Sequence, residues 1–100
     1  MTYAVKFTPG ARKDLRSIHD YIAANDSPER ADYVATKIVE EALSLGALPT
    51  RGAFPPELLA LGRRDYRQVF FKPYRILYKI HHHELLILFL TVGHRREVYK

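Results

Sequence analysis

The residues between positions 66 and 99 carry the side chains best suited to chemistry. Three arginines are spaced along segments that favour a β-sheet, at Arg67, Arg75 and Arg95, and His94 and Tyr99 flank the last of them. Guanidinium groups fit phosphate oxygens in a bidentate geometry. Arginines held on a rigid sheet therefore predict a site that binds the phosphates of a polyanionic partner.

The same residues meet the needs of RNA cleavage without a metal. That reaction requires a base for the 2′-hydroxyl proton, cations for the charge on the phosphorane and an acid for the departing 5′-oxygen. The arginines suit the second role, and His94 suits proton transfer because it titrates near neutrality. Tyr99 is a base only where nearby arginines lower its pKa well below about 10. Glu97 is a weaker candidate.

Simpler roles exist for the same side chains. Arg75 can be a surface residue or a contact to a partner protein, and His94 can be a turn residue that orients a loop. The run His81-His82-His83 with Glu84 contains metal ligands, but consecutive residues on a tight turn seldom converge on one ion. Solvated turn histidines are the better interpretation there, and no metal or other cofactor is expected.

The distribution of charge favours a polyanionic partner. Residues 1–50 hold six Lys and Arg against seven Asp and Glu, whereas residues 51–100 hold ten against four. The second half, with a net charge of +6, is also the sheet-forming half, so Arg64 and Arg96 join Arg67 as candidate substrate-binding residues. The alternative is an ordinary basic domain with solvated charges.

Composition sets further limits. A chain of 100 residues predicts a single domain, 1–100, and the absence of cysteine excludes disulfides and thiolate metal sites. The N-terminal residues lack the order of a signal peptide, and the longest apolar run, residues 85–90, is too short to span a membrane. We therefore expect a cytoplasmic protein that does not act on membranes.

Periodicity predicts an α+β fold. A short strand at 3–8 precedes a helix whose apolar stripe starts at Ala11 and ends near Asn25. Ser27 and Pro28 predict the start of a second helix, which runs to about Leu45. After a connection rich in proline and glycine, three sheet-forming segments follow. The order predicts a helical hairpin packed on one mostly antiparallel sheet that ends in a three-stranded meander.

Strand alternation predicts which side chains share a face of the sheet. Ile76 and Tyr78 should share one side of their strand while Arg75 lies on the other. We expect Arg75 on an exposed basic face opposite the helices, converging there with Arg95. The strand at 85–90 is apolar on both sides, which predicts a central position or cover from a partner chain.

Several short sequences together resemble the RelE/ParE superfamily of bacterial type II toxins, over nearly the whole chain. They are Tyr21-Ile22-Ala23, Ser27-Pro28-Glu29-Arg30-Ala31, Leu48-Pro49 with Gly52, the strand at 74–80, and Val92-Gly93-His94-Arg95-Arg96. The resemblance implies a toxin held inactive by a cognate antitoxin, which places an acidic segment on the basic and apolar surfaces of the toxin.

The resemblance leaves two mechanisms open. RelE-like members are ribosome-dependent ribonucleases that cut mRNA, whereas ParE-like members poison DNA gyrase. The first half looks more like the ParE branch and residues 93–99 more like the RelE branch. By position, Arg75 and Arg95 match phosphate-binding arginines of the RelE branch, Tyr99 matches its tyrosine, and Arg67 roughly matches a basic residue on the preceding strand. This slightly favours the mRNA endonuclease, with gyrase inhibition as the alternative and a non-toxic nucleic-acid-binding module third.

Overall fold

Strands and helices follow one another in the predicted order. The computed structural model describes residues 2–92. Its elements are β1 (Ala4–Phe7), α1 (Pro9–Asn25), α2 (Pro28–Ser44), the one-turn helix α3 (Pro56–Leu59), β2 (Tyr66–Phe71), β3 (Tyr74–His81) and β4 (Glu84–Val92). The predicted α+β fold is thereby confirmed.

Side-chain caps set where the two long helices begin. The hydroxyl of Thr8 accepts from the Ala11 amide at 3.1 Å, and the hydroxyl of Ser27 accepts from the Arg30 amide at 3.0 Å. Each cap is followed by a proline at the first helical position, where the missing N–H has no intrahelical partner to lose. α1 therefore starts at Pro9, two residues earlier than the apolar stripe predicted.

The four strands form one sheet in the order β1-β4-β3-β2. β2, β3 and β4 are an antiparallel meander, while β1 pairs in parallel with β4. β4 extends beyond the end of β1, and there a carboxylate oxygen of Asp14 on α1 accepts from the Leu90 amide at 3.1 Å. α1 thus supplies a hydrogen bond to β4 beyond the end of its short neighbour.

The helical hairpin covers one face of the sheet. The fully buried side chains come from both layers and form one core. The larger of them are Ile38, Leu45, Ile76, Tyr78, Leu85 and Ile87. β4 is a central strand, as its apolar sequence predicted. Within residues 2–92, no helix is long and apolar enough to cross a membrane.

Candidate functional site

The two faces of β3 have different roles. Ile76 and Tyr78 point to the helices and are fully buried in the core, which defines the inner face of the sheet. Arg75 lies between such residues and pairs across β2 with Phe70, so it belongs to the opposite, outer face. The placement of Arg75 away from the helical hairpin agrees with strand alternation.

Arg75 is nevertheless buried, and the expectation that it is exposed was wrong. α3 lies on the outer face, where the Glu57 carboxylate forms an ion pair with the Arg75 guanidinium across 2.9 Å. Only 8% of the Arg75 side chain and 27% of the Glu57 side chain are exposed. The positive charge expected to meet a phosphate already has a carboxylate partner.

Three buried polar atoms in this region have no hydrogen-bond partner among the described residues. They are Arg75 Nε, Glu57 Oε1 and Gln68 Oε1. Gln68 is on the outer face of β2, two residues from the residue that pairs with Arg75. A ligand phosphate would have to displace the Glu57 carboxylate, and with it α3, before it reached the guanidinium. In the described conformation this arrangement is an ion pair inside the fold and does not present an open anion site.

Arg67 has a different set of contacts from Arg75. It pairs across the strands with Tyr78, an odd number of positions along β3 from Arg75, so alternation puts Arg67 and Arg75 on opposite faces. The Arg67 guanidinium donates to the carbonyl oxygens of Thr50 at 3.2 Å and Gly52 at 2.8 Å. It also lies 4.3 Å from the centre of the Phe54 ring. The structure therefore does not bring Arg67 and Arg75 together in one phosphate site.

Tyr78, on the inner face of the sheet, also contacts the segment between residues 49 and 54, to which the carbonyl partners of Arg67 belong. Its hydroxyl donates to the Pro49 carbonyl at 2.7 Å and accepts from the Gly52 amide at 2.9 Å. Burial raises the pKa of the Tyr78 phenol above its ordinary value, so the hydroxyl stays protonated and keeps donating near neutral pH. A Cβ atom at residue 52 would lie 2.5 Å from that hydroxyl, which explains the glycine. Arg67 and Tyr78 together fix the chain between residues 49 and 54.

The other predicted site residues divide into two groups. Arg64 is exposed, with its guanidinium 6.0 Å from the centre of the Phe54 ring. It shares that ring with Arg67, and these two are the only predicted substrate-binding residues that the described chain shows near one another. His94, Arg95, Arg96 and Tyr99 lie outside the described residues, so their predicted roles and their convergence with Arg75 stay predictions.

The histidine run occupies the turn between β3 and β4, as expected. His81 ends β3, Glu84 begins β4, and His82 has a positive φ of 58°. Lys6 lies 2.7 Å from the Glu84 carboxylate and holds its pKa below the usual range. In the part of the chain that the structure describes, no group of three or more His, Cys, Asp or Glu side chains is placed to hold a metal ion.

Glu57 is the residue that sequence reasoning missed. The local signal was present, because Pro55 and Pro56 begin the single turn expected at 56–61, and Pro55 is fully buried. Glu57 is in the first turn of that helix, a common position for an acidic side chain. That common position gave no reason to pair Glu57 with an arginine 18 positions later in the chain.

A family model matches nearly the whole chain. The model described as the ParE toxin of the type II toxin-antitoxin system, parDE, matches residues 5–99. The chain belongs to the ParE toxin family. It is accordingly a toxin of a type II toxin–antitoxin system, within the wider RelE/ParE group that the sequence resembled. A comparison with curated proteins gives no match.

Solved structures agree with the membership in this family. The fold is similar to that of the chromosomal ParDE system from P. aeruginosa, with a TM-score of 0.78, 23% identity, and 93% of this chain and 98% of that chain covered. It is also similar to the toxin–antitoxin complex RelBE2 from Mycobacterium tuberculosis, with a TM-score of 0.65, 28% identity, and 92% of each chain covered. Both neighbours belong to toxin–antitoxin systems, which supports a cognate antitoxin as a partner of this ParE-family toxin.

Proposed function

We propose that this ParE-family toxin stops growth by binding a protein target and does not cut mRNA. DNA gyrase is the target that the resemblance to the ParE branch implies. The arginines in the sequence slightly favoured ribosome-dependent mRNA cleavage, and the contacts of Arg75 and Arg67 in the folded chain now favour the alternative. An antitoxin that covers the toxin would prevent the same contact.

The ion pair between Arg75 and Glu57 is the observation that carries this proposal. Phosphoryl chemistry needs cations that are already aimed at the position where negative charge develops. Arg75 is aimed at Glu57 instead, across 2.9 Å and under α3. Releasing Arg75 for a phosphate would separate its guanidinium from the Glu57 carboxylate. Because the site is largely shielded from water, separating these two charges is costly in free energy.

The contacts of Arg67 support the same proposal. Its guanidinium donates hydrogen bonds to two carbonyl oxygens of the segment that leads to α3. Arg75 and Arg67 thus both have structural partners, and Arg64 is left as the one exposed arginine among the three predicted phosphate-binding arginines within residues 2–92. A surface with this composition is better suited to protein contacts than to holding a scissile phosphate.

The experiment compares two targets with one preparation of purified toxin. DNA supercoiling by gyrase is measured on a relaxed plasmid, and cleavage of mRNA on programmed ribosomes is measured by primer extension. We expect supercoiling to stop at toxin concentrations that leave the mRNA intact, and we expect addition of the antitoxin to restore it. Cleavage of ribosome-bound mRNA with unchanged supercoiling would show that the mRNA endonuclease is the correct function.

A further inference from the structure

A cavity of about 340 Å³ lies where the tip of the helical hairpin meets the turn between β2 and β3. Its walls come from the end of α1, the first turns of α2 and residues 71–74. Phe71 and Tyr74 pair directly across the two strands and pack against the core, so they lie on the inner face of the sheet. Because Arg75 is on the outer face, the cavity is separate from the ion pair with Glu57.

Aromatic rings form a large part of the cavity wall. Tyr21, Phe71 and Tyr74 line it, and none of the three is fully buried. Tyr21 is exposed over 69% of its surface. Aromatic side chains that the fold leaves partly uncovered offer ring faces on which a planar group can stack. The cavity is therefore suited to a ligand with a planar ring.

Two cations stand beside these rings. Arg30 and Lys72 line the cavity, both are exposed, and neither forms an ion pair with another described residue. The Arg30 guanidinium lies 5.5 Å from the centre of the Tyr33 ring, and a stacked guanidinium keeps the N–H groups in its own plane available for an anion. Asp26 is the one carboxylate among the described lining residues, so two cations face one anion there.

Uncharged polar groups complete the lining. Burial raises the pKa of the Tyr74 phenol more than the nearby Arg30 charge lowers it, so the hydroxyl stays protonated near neutral pH and can donate. The Asn25 side-chain amide donates to the Tyr21 carbonyl at 2.9 Å, which leaves the side-chain oxygen of Asn25 as an acceptor. The cavity thus combines donors and cations for an anionic group with acceptors for the N–H or O–H groups of the same ligand.

A nucleotide has the chemistry that this lining requires. Its base is a planar ring, its phosphate matches Arg30 and Lys72, and its amino and hydroxyl groups can donate to Asn25 and Asp26. An inorganic anion would leave the aromatic wall without a partner, and an uncharged aromatic compound would leave the two cations without one. The volume is near the lower end of the range of about 300–1,000 Å³ for small-ligand sites, so the cavity accommodates one nucleotide.

We propose that this cavity binds a single nucleotide unit, with the base against Tyr21 and Tyr74 and the phosphate against Arg30 and Lys72. The unit is a free nucleotide or an unpaired nucleotide of a nucleic-acid strand, because both present the same chemistry. The second source would bring the toxin into contact with the DNA that gyrase holds. The inference goes beyond the proposed function and does not depend on which target the toxin inhibits.

Titration of the ¹⁵N-labelled full-length toxin, followed by NMR, tests the site with three small probes. These are deoxyadenosine monophosphate, deoxyadenosine and inorganic phosphate. We expect the monophosphate to shift the amide signals of residues 21–30 and 71–74 and to leave those of β1 unchanged. Deoxyadenosine and inorganic phosphate should each bind at least about 10-fold more weakly, because each lacks one half of the contacts. Equal affinities for the monophosphate and inorganic phosphate would overturn the inference, since the rings would then contribute nothing.

A ten-nucleotide single strand of deoxyadenylate distinguishes the two sources. Binding that is at least about 10-fold tighter than that of the monophosphate, with shifts of the same amides, would identify a strand as the source. Equal or weaker binding of the strand would identify a free nucleotide. If neither the strand nor the monophosphate shifts the amides that line the cavity, the inference fails and the toxin function is untouched.

Matched substitutions separate contact from general electrostatics. Arg30→Gln and Lys72→Gln each remove a cation from the cavity, whereas the controls Arg16→Gln and Lys13→Gln remove the same charges from exposed positions of α1 outside it. We expect the cavity variants to bind the monophosphate about 10-fold more weakly and the controls to change its affinity by less than about 2-fold. Circular dichroism checks that all four variants are folded. Equal affinities for the cavity variants and their controls would contradict a phosphate held by Arg30 and Lys72.

Discussion

The Arg75 guanidinium lies 2.9 Å from the Glu57 carboxylate in an ion pair, on the face of the sheet opposite the helical hairpin. The contact joins β3 to α3, and therefore joins the rigid sheet to the connection between α2 and β2. An arginine that the sequence places among catalytic candidates is, in the folded chain, a partner of a short helix. If Arg75 is part of a structural ion pair, removing its partner should destabilise the fold. An arginine with a purely catalytic role would have no such effect on stability.

Glu57→Ala should destabilise the fold, because it leaves the buried Arg75 charge without a counterion. We expect a loss of about 3 kcal/mol in the free energy of unfolding. Urea unfolding followed by circular dichroism measures it. Glu40→Ala is the control, since Glu40 pairs with Lys37 at 3.4 Å on the exposed surface of α2 and should cost under about 0.5 kcal/mol. Similar losses for the two variants would show that the buried pair contributes no more than a surface one.

Gly52→Ala should be costly for a steric reason. The added Cβ would lie 2.5 Å from the Tyr78 hydroxyl and 2.8 Å from the Gln68 carbonyl oxygen. We expect about 2 kcal/mol of destabilisation, read from the thermal midpoint. At Gly10 the nearest atom to an added Cβ is 3.8 Å away, so Gly10→Ala should leave the midpoint unchanged or raise it. A midpoint for Gly52→Ala equal to that of wild type would mean that the segment moves aside at no cost.

Arg67→Ala should loosen the segment between residues 49 and 54. It removes two charge-assisted hydrogen bonds to backbone carbonyls and a cation over the Phe54 ring. We expect a loss of about 2 kcal/mol, against under about 0.5 kcal/mol for Arg64→Ala. Urea unfolding of both variants checks the difference. If Arg67→Ala keeps full stability but loses activity, Arg67 binds substrate after all.

His19 makes stability depend on pH. Its ring lies 2.7 Å from the Asp32 carboxylate on α2, and this hydrogen bond raises the pKa of His19 above its usual value. A raised pKa in the folded state adds stability that is complete below the unfolded pKa of about 6.5 and is lost as pH rises through the folded pKa. The advantage of wild type over His19→Gln should therefore be complete below about pH 6.5 and shrink as the pH is raised above that value. A difference in urea midpoint that stays constant as the pH is raised would contradict the coupling.

Local signals predicted most of the fold. Ser27 and Pro28 start α2 where a cap and a first-turn proline predict it, and alternation along β3 puts Ile76 inside and Arg75 outside. These features depend on neighbours within a few residues, so the sequence displays them directly. The parallel pairing of β1 with β4 is different, because it joins residues about 80 positions apart, such as Phe7 and Ile87.

The candidate site was less predictable, because its decisive contacts are long-range. Arg75 was assigned to an exposed face on the basis of its strand alone, and strand alternation contains no information about a four-residue helix on that face. Arg67 has the side chain of a phosphate ligand, and only the folded chain shows its guanidinium bound to the carbonyls of Thr50 and Gly52. Residue type alone does not separate an arginine that binds phosphate from one that binds backbone.

The central claim is that toxicity does not require a guanidinium at position 75. Replacing both members of a buried ion pair by apolar residues of similar size is often neutral for folding, so the double variant Arg75→Met/Glu57→Met should fold. Its thermal midpoint and its antitoxin affinity verify this before use. The measurement is growth inhibition on induced expression. We expect the folded double variant to inhibit growth as wild type does, whereas a ribonuclease that has lost a phosphate-stabilising cation should be about 10²-fold or more slower and should no longer inhibit growth.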